Sequence, residues 1–260
     1  MLEVTGLTRA YGSQRAIECL SLRVADGELV SIVGPSGCGK STLLRCIAGL
    51  LQPTAGQVVL NGVPVTRVPD RLAVVFQDYS RSLYPWLSVA DNVALPLRRT
   101  ERRRSARREA ALDAIEEVGL AGFAGRYPWQ LSGGMQQRVA IARALAYNPL
   151  LLLMDEPFGS VDAQTREDLE DLVLRVREQR NMTILLVTHD IDESVYTGDR
   201  VIVLTRGPGR VRADLPVGLP RPRDQIATKE LPDFAHLRAE VSRLVRGVRE
   251  PEPQVPNHSA

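Results

Sequence analysis

Cysteine is scarce in this chain of 260 residues: Cys19, Cys38 and Cys46 form an odd set without the spacing of a disulfide framework or a metal cage. Reduced thiols are the default expectation. Cys38 falls at an expected helix N-terminus, where a thiol pKa can drop; the plainer alternative is an inert small residue. Long apolar runs are also missing. The longest, Leu150 to Met154, falls far short of the ~20 residues needed to cross a bilayer, so the chain is expected not to span a membrane by itself. Met1-Leu2-Glu3-Val4-Thr5 shows no basic stretch leading into an apolar one, so no secretory signal is expected. Neither sign of charge dominates. The 33 Lys+Arg against 31 Asp+Glu leave +2, which gives no overall electrostatic case for nucleic acid as a partner. What remains, 44% hydrophobic and 25% charged, is the composition of a globular protein long enough for an ample core.

Residues 2–5, 20–25 and 57–66 alternate apolar and polar positions between glycines and predict antiparallel strands and hairpins. The runs 29–33, 150–154 and 183–187 are predominantly apolar and look buried on both faces, as in a parallel sheet covered by helices. Between the first two, about 85–145 reads as mostly helical, with Leu112, Ile115 and Val118 at helical spacing before Gly119 ends the segment. Strand-like pieces return at 201–204 and 210–213. Past Pro216 the chain is rich in Pro and Arg, with one helix predicted over 233–246. The last residues, Pro251 to Ala260, hold little that could be buried and predict a disordered tail.

The most informative passage is Gly34-Pro35-Ser36-Gly37-Cys38-Gly39-Lys40-Ser41-Thr42, which fits the phosphate-loop pattern G-x-x-x-x-G-K-[ST] at each fixed position. The apolar run 29–33 precedes it and a helical pattern follows, the required strand, turn, helix order. Glycines let successive N–H groups turn inward around an anion, and the helix N-terminus adds unpaired donors. In such a loop Lys40 reaches the β- and γ-phosphates and the Ser41 hydroxyl ligates Mg²⁺.

Two further passages complement it. Leu150 to Met154 ends in Asp155 and Glu156. Asp155 is placed to hold Mg²⁺ beside Ser41, and Glu156 to take a proton from an attacking water. Leu131-Ser132-Gly133-Gly134-Met135-Gln136-Gln137-Arg138 supplies an N-cap serine and two glycines at the head of a predicted helix, a second anion site or simply a helix cap.

That octet resembles the signature motif of the ABC-type ATPases, and its position before Asp155 matches their order. The resemblance covers roughly 2–215. It implies an α/β fold: a P-loop NTPase (ABC ATPase) core carrying an antiparallel β subdomain and a helical subdomain at about 85–145. Residues 216–260 would form a C-terminal extension. Tyr11 resembles the aromatic that stacks on adenine, Gln77 the Q-loop glutamine that touches metal or water, Asp162 the D-loop aspartate, and His189 the H-loop histidine at the γ-phosphate. The resemblance further implies ATP and Mg²⁺ as ligands, and a head-to-tail homodimer. Each ATP would lie between Lys40 of one copy and Ser132, Gly133 and Gly134 of the other. The D-loop reads Gly159-Ser160-Val161-Asp162, where Ser-Ala-Leu-Asp is common in the family.

The stretch Asp78 to Val93, with Leu83-Tyr84-Pro85-Trp86-Leu87, is similar to the nitrate/sulfonate/taurine branch of bacterial importers. In importers this region receives a helix of the membrane subunit; packing of Tyr84 and Trp86 into the core is the competing reading. The resemblance thus implies an ATPase on the cytoplasmic face of the inner membrane, with two permease subunits and, indirectly, a solute-binding protein. Nucleic acid is not an expected partner. The alternatives are an ABC subunit for export or lipid extraction, or a non-transport ABC ATPase acting on nucleic acid or ribosomes. The latter usually carry two ATPase domains or a long coiled-coil insert. Finally, residues 98–108 hold seven arginines and one glutamate, read as a solvated helix face or an attraction to anionic lipid headgroups.

Overall fold

The computed structural model describes residues 1–78 and 82–247. The tail expected to be disordered over 251–260, and the Tyr79–Arg81 part of the aromatic stretch, lie outside the described residues. An antiparallel sheet with order β2-β1-β4-β5 is built from β1 (Leu2–Tyr11), β2 (Gln14–Val24), β4 (Ala55–Leu60) and β5 (Val63–Pro64). A second sheet has the order β10-β9-β3-β8-β7-β6, from β3 (Leu29–Val33), β6 (Leu72–Val75), β7 (Leu151–Asp155), β8 (Thr183–Thr188), β9 (Arg200–Leu204) and β10 (Val211–Pro216). All its neighbours run parallel except β10 against β9.

The predominantly apolar runs have a direct explanation. Because side chains alternate across a strand, β3 sends Leu29 and Val33 into one core and Val30 and Ile32 into another. Likewise β7 divides Leu152 and Met154 from Leu151 and Leu153, and β8 divides Ile184 and Leu186 from Leu185 and Val187. One core lies toward α1 (Lys40–Ile47) and the antiparallel sheet. The other takes in α2 (Val89–Ala94), α3 (Arg104–Glu117), α4 (Gly133–Ala146) and α5 (Ala163–Arg180).

One expectation is corrected, one competing reading is excluded and one strand is added. On α3 it is Ala111, Ala114 and Ile115 that are buried, with Val118 following, whereas Leu112 is 39% exposed. Small residues let α3 lie close against α2 and α4, so the inward face was set by size rather than by the strongest apolar residue. Trp86 is 70% exposed, edge to face with Tyr84 at 5.3 Å, so these rings do not fill the core; Leu83 does. And β6, too short to show a period in sequence, forms the edge strand.

Past β10 the chain turns back onto the body. Val217 and Leu219 join the helical-side core, as do Phe234 and Val241 of α7 (Pro232–Arg246). Between them Arg223 donates to the carbonyls of Val195, Tyr196 and Gly198 at the end of α6 (Ile191–Thr197).

Candidate active site

The glycine loop lies between β3 and α1. Gly39 has φ of +97°, and a Cβ there would sit 2.6 Å from the carbonyl oxygen of Ala16, so only glycine lets β2 approach the loop so closely. A cleft of about 290 Å³ results, lined by Ser36, Gly37 and the Gly39–Thr42 segment together with Ala16 and Glu156. The chain has two lysines, Lys40 and Lys229, among 33 basic residues. Lys40 is 6% exposed, and its Nζ donates to the carbonyls of Gly34 (2.7 Å) and Pro35 (3.4 Å). An ammonium has three protons to donate, so this compact cation is oriented by the loop with capacity left for a phosphate oxygen.

Gly34, Pro35 and Cys38, like Asp155, Gln77 and His189, are not among the residues lining the cleft. The Cys38 N–H instead closes a turn onto the Pro35 carbonyl at 3.2 Å. Burial pushes the Cys38 thiol pKa up, against the opposing charge of Lys40, which removes the expectation of a lowered thiol pKa and leaves an inert small residue.

Asp155 ends β7 and accepts a hydrogen bond from Ser41 Oγ at 3.2 Å. Burial raises the Asp155 pKa; the Ser41 hydroxyl opposes this and the neighbouring Glu156 adds to it. A hydroxyl and a carboxylate side by side, both hard oxygen donors, fit a Mg²⁺ ion.

Glu156 follows with φ of +47°, a left-handed conformation that costs a non-glycine residue about 1–3 kcal/mol. Its N–H donates to the Val187 carbonyl at 2.8 Å, which ties the strained turn to β8. Its carboxylate is gripped from both sides. Gln77 Nε2 donates to Glu156 Oε2 at 3.1 Å, and His189 Nδ1 lies 3.1 Å from the same oxygen. Gln77 lies just past β6, Glu156 past β7 and His189 past β8. These strands are neighbours, so their carboxyl ends bring the three side chains together, and β3 delivers the Lys40 loop beside β8.

The other expected residues lie elsewhere. Ser132 caps α4, its Oγ accepting from the Met135 N–H at 3.3 Å. Gly134 is buried where a Cβ would overlap Thr165 Cγ2. Asp162 caps α5, accepting from the N–H (3.0 Å) and hydroxyl (2.7 Å) of Thr165; these bonds hold its carboxyl below the usual range. Tyr11 is 48% exposed with the Arg9 guanidinium 4.8 Å from its ring centre. None of Ser132, Gly133, Gly134, Asp162 or Tyr11 lines the cleft of its own chain.

Some contributors were not legible in sequence. Ala16 carries no chemical signal, and its carbonyl lies against Gly39. Gln137 is buried and donates to the Pro157 carbonyl at 2.6 Å, joining α4 to the turn after Glu156. Its place one helical turn after Gly134, on the same face, was the available signal. Arg166 pairs with Asp190 at 3.0 Å, bracing the residue beside His189 from α5.

Residues 17–159 match the family described as ABC transporter. The taurine import ATP-binding protein TauB of Yersinia pestis is 47% identical over 211 residues, 81% of this chain and 82% of that protein. The nitrate import ATP-binding protein NrtC of Synechococcus elongatus is 45% identical over 242 residues, 92% of this chain and 36% of that longer protein. The dimeric structure of MJ0796, a bacterial ABC transporter cassette, superposes with a TM-score of 0.73 at 36% identity, covering 84% of this chain and 99% of that one. The same cassette in a post-hydrolysis state bound to ADP and Pi gives 0.72.

Proposed function

Since this chain belongs to the ABC transporter family, as the ATP-hydrolysing subunit of an importer, we propose that two copies close head to tail over two ATP molecules at the cytoplasmic face of a cell membrane. Among the described residues no helix is long and apolar enough to cross a membrane, so translocation falls to two separate permease subunits, fed by a solute-binding protein. The exposed Tyr84–Trp86 pair offers the permease a contact. The cargo is a small anion of the nitrate, sulfonate or taurine type, as in the relatives named for nitrate and taurine import.

One observation carries the paired arrangement. The cleft of a single chain contains Lys40 and Glu156, while the capped helix end at Ser132 and Gly134 lies outside it. That helix end, with its unpaired donors, is then free to serve the nucleotide of a second copy.

In the closed pair Lys40 and the loop N–H groups stabilise charge on the phosphates. Ser41, Asp155 and Gln77 would hold Mg²⁺, which supplies further neutralisation there. Glu156 accepts a proton from the attacking water, and His189 keeps that carboxylate in position. The ATPase domain spans 1–215 with its helical subdomain at 85–145, and the C-terminal extension follows.

Mixed dimers test the reading. Ser132→Arg chains combined with Lys40→Ala chains should recover one working site per mixed dimer. A mixture no more active than either variant alone would refute shared sites.

A further inference from the structure

A second cavity, of about 320 Å³, opens in the helical subdomain between α2, the 3₁₀ turn Pro96–Arg99 and the first two turns of α3. Arg98, Arg104, Arg107 and Arg108 line it, with two alanines of α2 and a single carboxylate, Asp91. The Asp91 carboxylate already accepts from Ser88 Oγ at 2.7 Å. Arg107 is fixed in place, donating through Nη1 to the carbonyls of Glu101 (2.8 Å) and Arg102 (2.9 Å). Among the described residues none of these four arginines has a carboxylate partner. By contrast, Arg166 pairs with Asp190, Arg177 with Asp199, Arg180 with Glu117 and Arg200 with Glu28.

Four guanidinium groups and one occupied carboxylate leave the lining with three uncompensated positive charges. Like charges brought to one concave site repel, and in the lining only Asp91 offsets them. Guanidinium forks match phosphate oxygens two at a time, and a tetrahedral phosphate accepts several forks where a planar carboxylate accepts one or two. The volume lies at the small end of ligand clefts, about 300–1,000 Å³. We propose that this cavity binds a phosphate group, either the headgroup of an acidic phospholipid or a free phosphate. The site is distinct from the nucleotide cleft and does not rest on the importer reading. Arg99, Arg102 and Arg103, exposed beside it, add attraction over the surrounding surface without lining the cavity.

The test separates a built site from a diffuse basic surface. The full chain, with MgADP filling the nucleotide cleft, is assayed for flotation with phosphatidylglycerol–phosphatidylcholine vesicles and by calorimetry with inorganic phosphate. The pair Arg104→Gln/Arg108→Gln removes two cavity charges, and Arg102→Gln/Arg103→Gln removes two neighbours of equal charge. Among the described residues neither pair loses a side-chain hydrogen bond. The cavity pair should weaken binding roughly thirty-fold, about five-fold for each surface-proximal arginine, and the neighbouring pair by less than about three-fold. Selective loss with vesicles identifies a lipid headgroup, and selective loss with inorganic phosphate alone identifies a free anion; both support the site. Equal loss in the two pairs, or equal binding to pure phosphatidylcholine vesicles, overturns it. So does binding of neither probe, which would assign the arginines to an acidic stretch of a partner protein.

Discussion

Glu156 and His189 meet at 3.1 Å, through Oε2 and Nδ1, across the carboxyl ends of two adjacent strands. The carboxylate oxygen engaged is the one that Gln77 also holds. A carboxylate anchored on both sides, on a backbone turn held left-handed, is positioned by the protein alone, the pre-alignment that a general base at this place would need.

Replacing this base should abolish turnover while leaving nucleotide binding intact. Glu156→Gln keeps the shape and removes the proton acceptor, so phosphate release should fall by at least about 10²-fold. ATP-bound dimers should accumulate on size exclusion. A rate within a few-fold of the parent would contradict the role.

The close approach of α4 to α5 predicts a rescue. Gly134→Ala places a methyl group on Thr165 Cγ2 and should displace the helix end that carries Ser132, lowering ATPase activity about tenfold or more. Thr165→Ser deletes that methyl group and retains the hydroxyl bonded to Asp162. The double variant should recover most of the lost rate; if it stays as slow as Gly134→Ala alone, the steric explanation fails.

Glu170 on α5 predicts a pH dependence of stability. It faces Gln225 and Lys229 of the C-terminal segment, Asp171 on its own helix and Asp190, with the buried Glu193 nearby. Burial is the main cause that pushes its pKa up to about 7, from 4.5. Between those values the folded chain keeps a proton that the unfolded chain releases, so stability falls as pH rises through that window. Glu170→Gln removes the titration. It should flatten the slope between pH 5 and 8 and gain on the order of 2 kcal/mol at pH 8. Urea unfolding at both pH values checks this, and an unchanged slope would assign the dependence elsewhere.

Arg223 predicts the anchoring of the C-terminal segment. Its guanidinium donates to Val195 and Gly198 at 2.9 Å each, and to Tyr196. Burial lowers its pKa to about 10. Arg223→Ala strips those α6 carbonyls of their partner and should cost about 2–3 kcal/mol, with new proteolytic cleavage between 217 and 231. Unaltered stability and cleavage would show that α7 docks without it.

Legibility followed the range of the interactions. The phosphate loop could be read because its glycines, Lys40 and Ser41 act within one turn, at spacings that the chemistry fixes. Asp155 and Glu156 could be read because they terminate an apolar strand. The inward face of α3 could not, since Ala111 and Ala114 outrank Leu112 only where neighbouring helices press close. Nor could the fate of Cys38, whose thiol meets burial rather than the solvent that a helix end suggests.

The residues proposed to meet phosphate, metal and a reactive water could be named from sequence alone, because each motif is defined by local spacing. Their convergence was decided only by the strand order β3-β8-β7-β6. Pairing between strands distant in the chain puts Lys40, His189, Glu156 and Gln77 at one edge, and no local spacing records which strands will lie side by side. The same tertiary packing leaves Ser132 exposed and Gly134 buried against Thr165, both outside the cleft lining of their own chain.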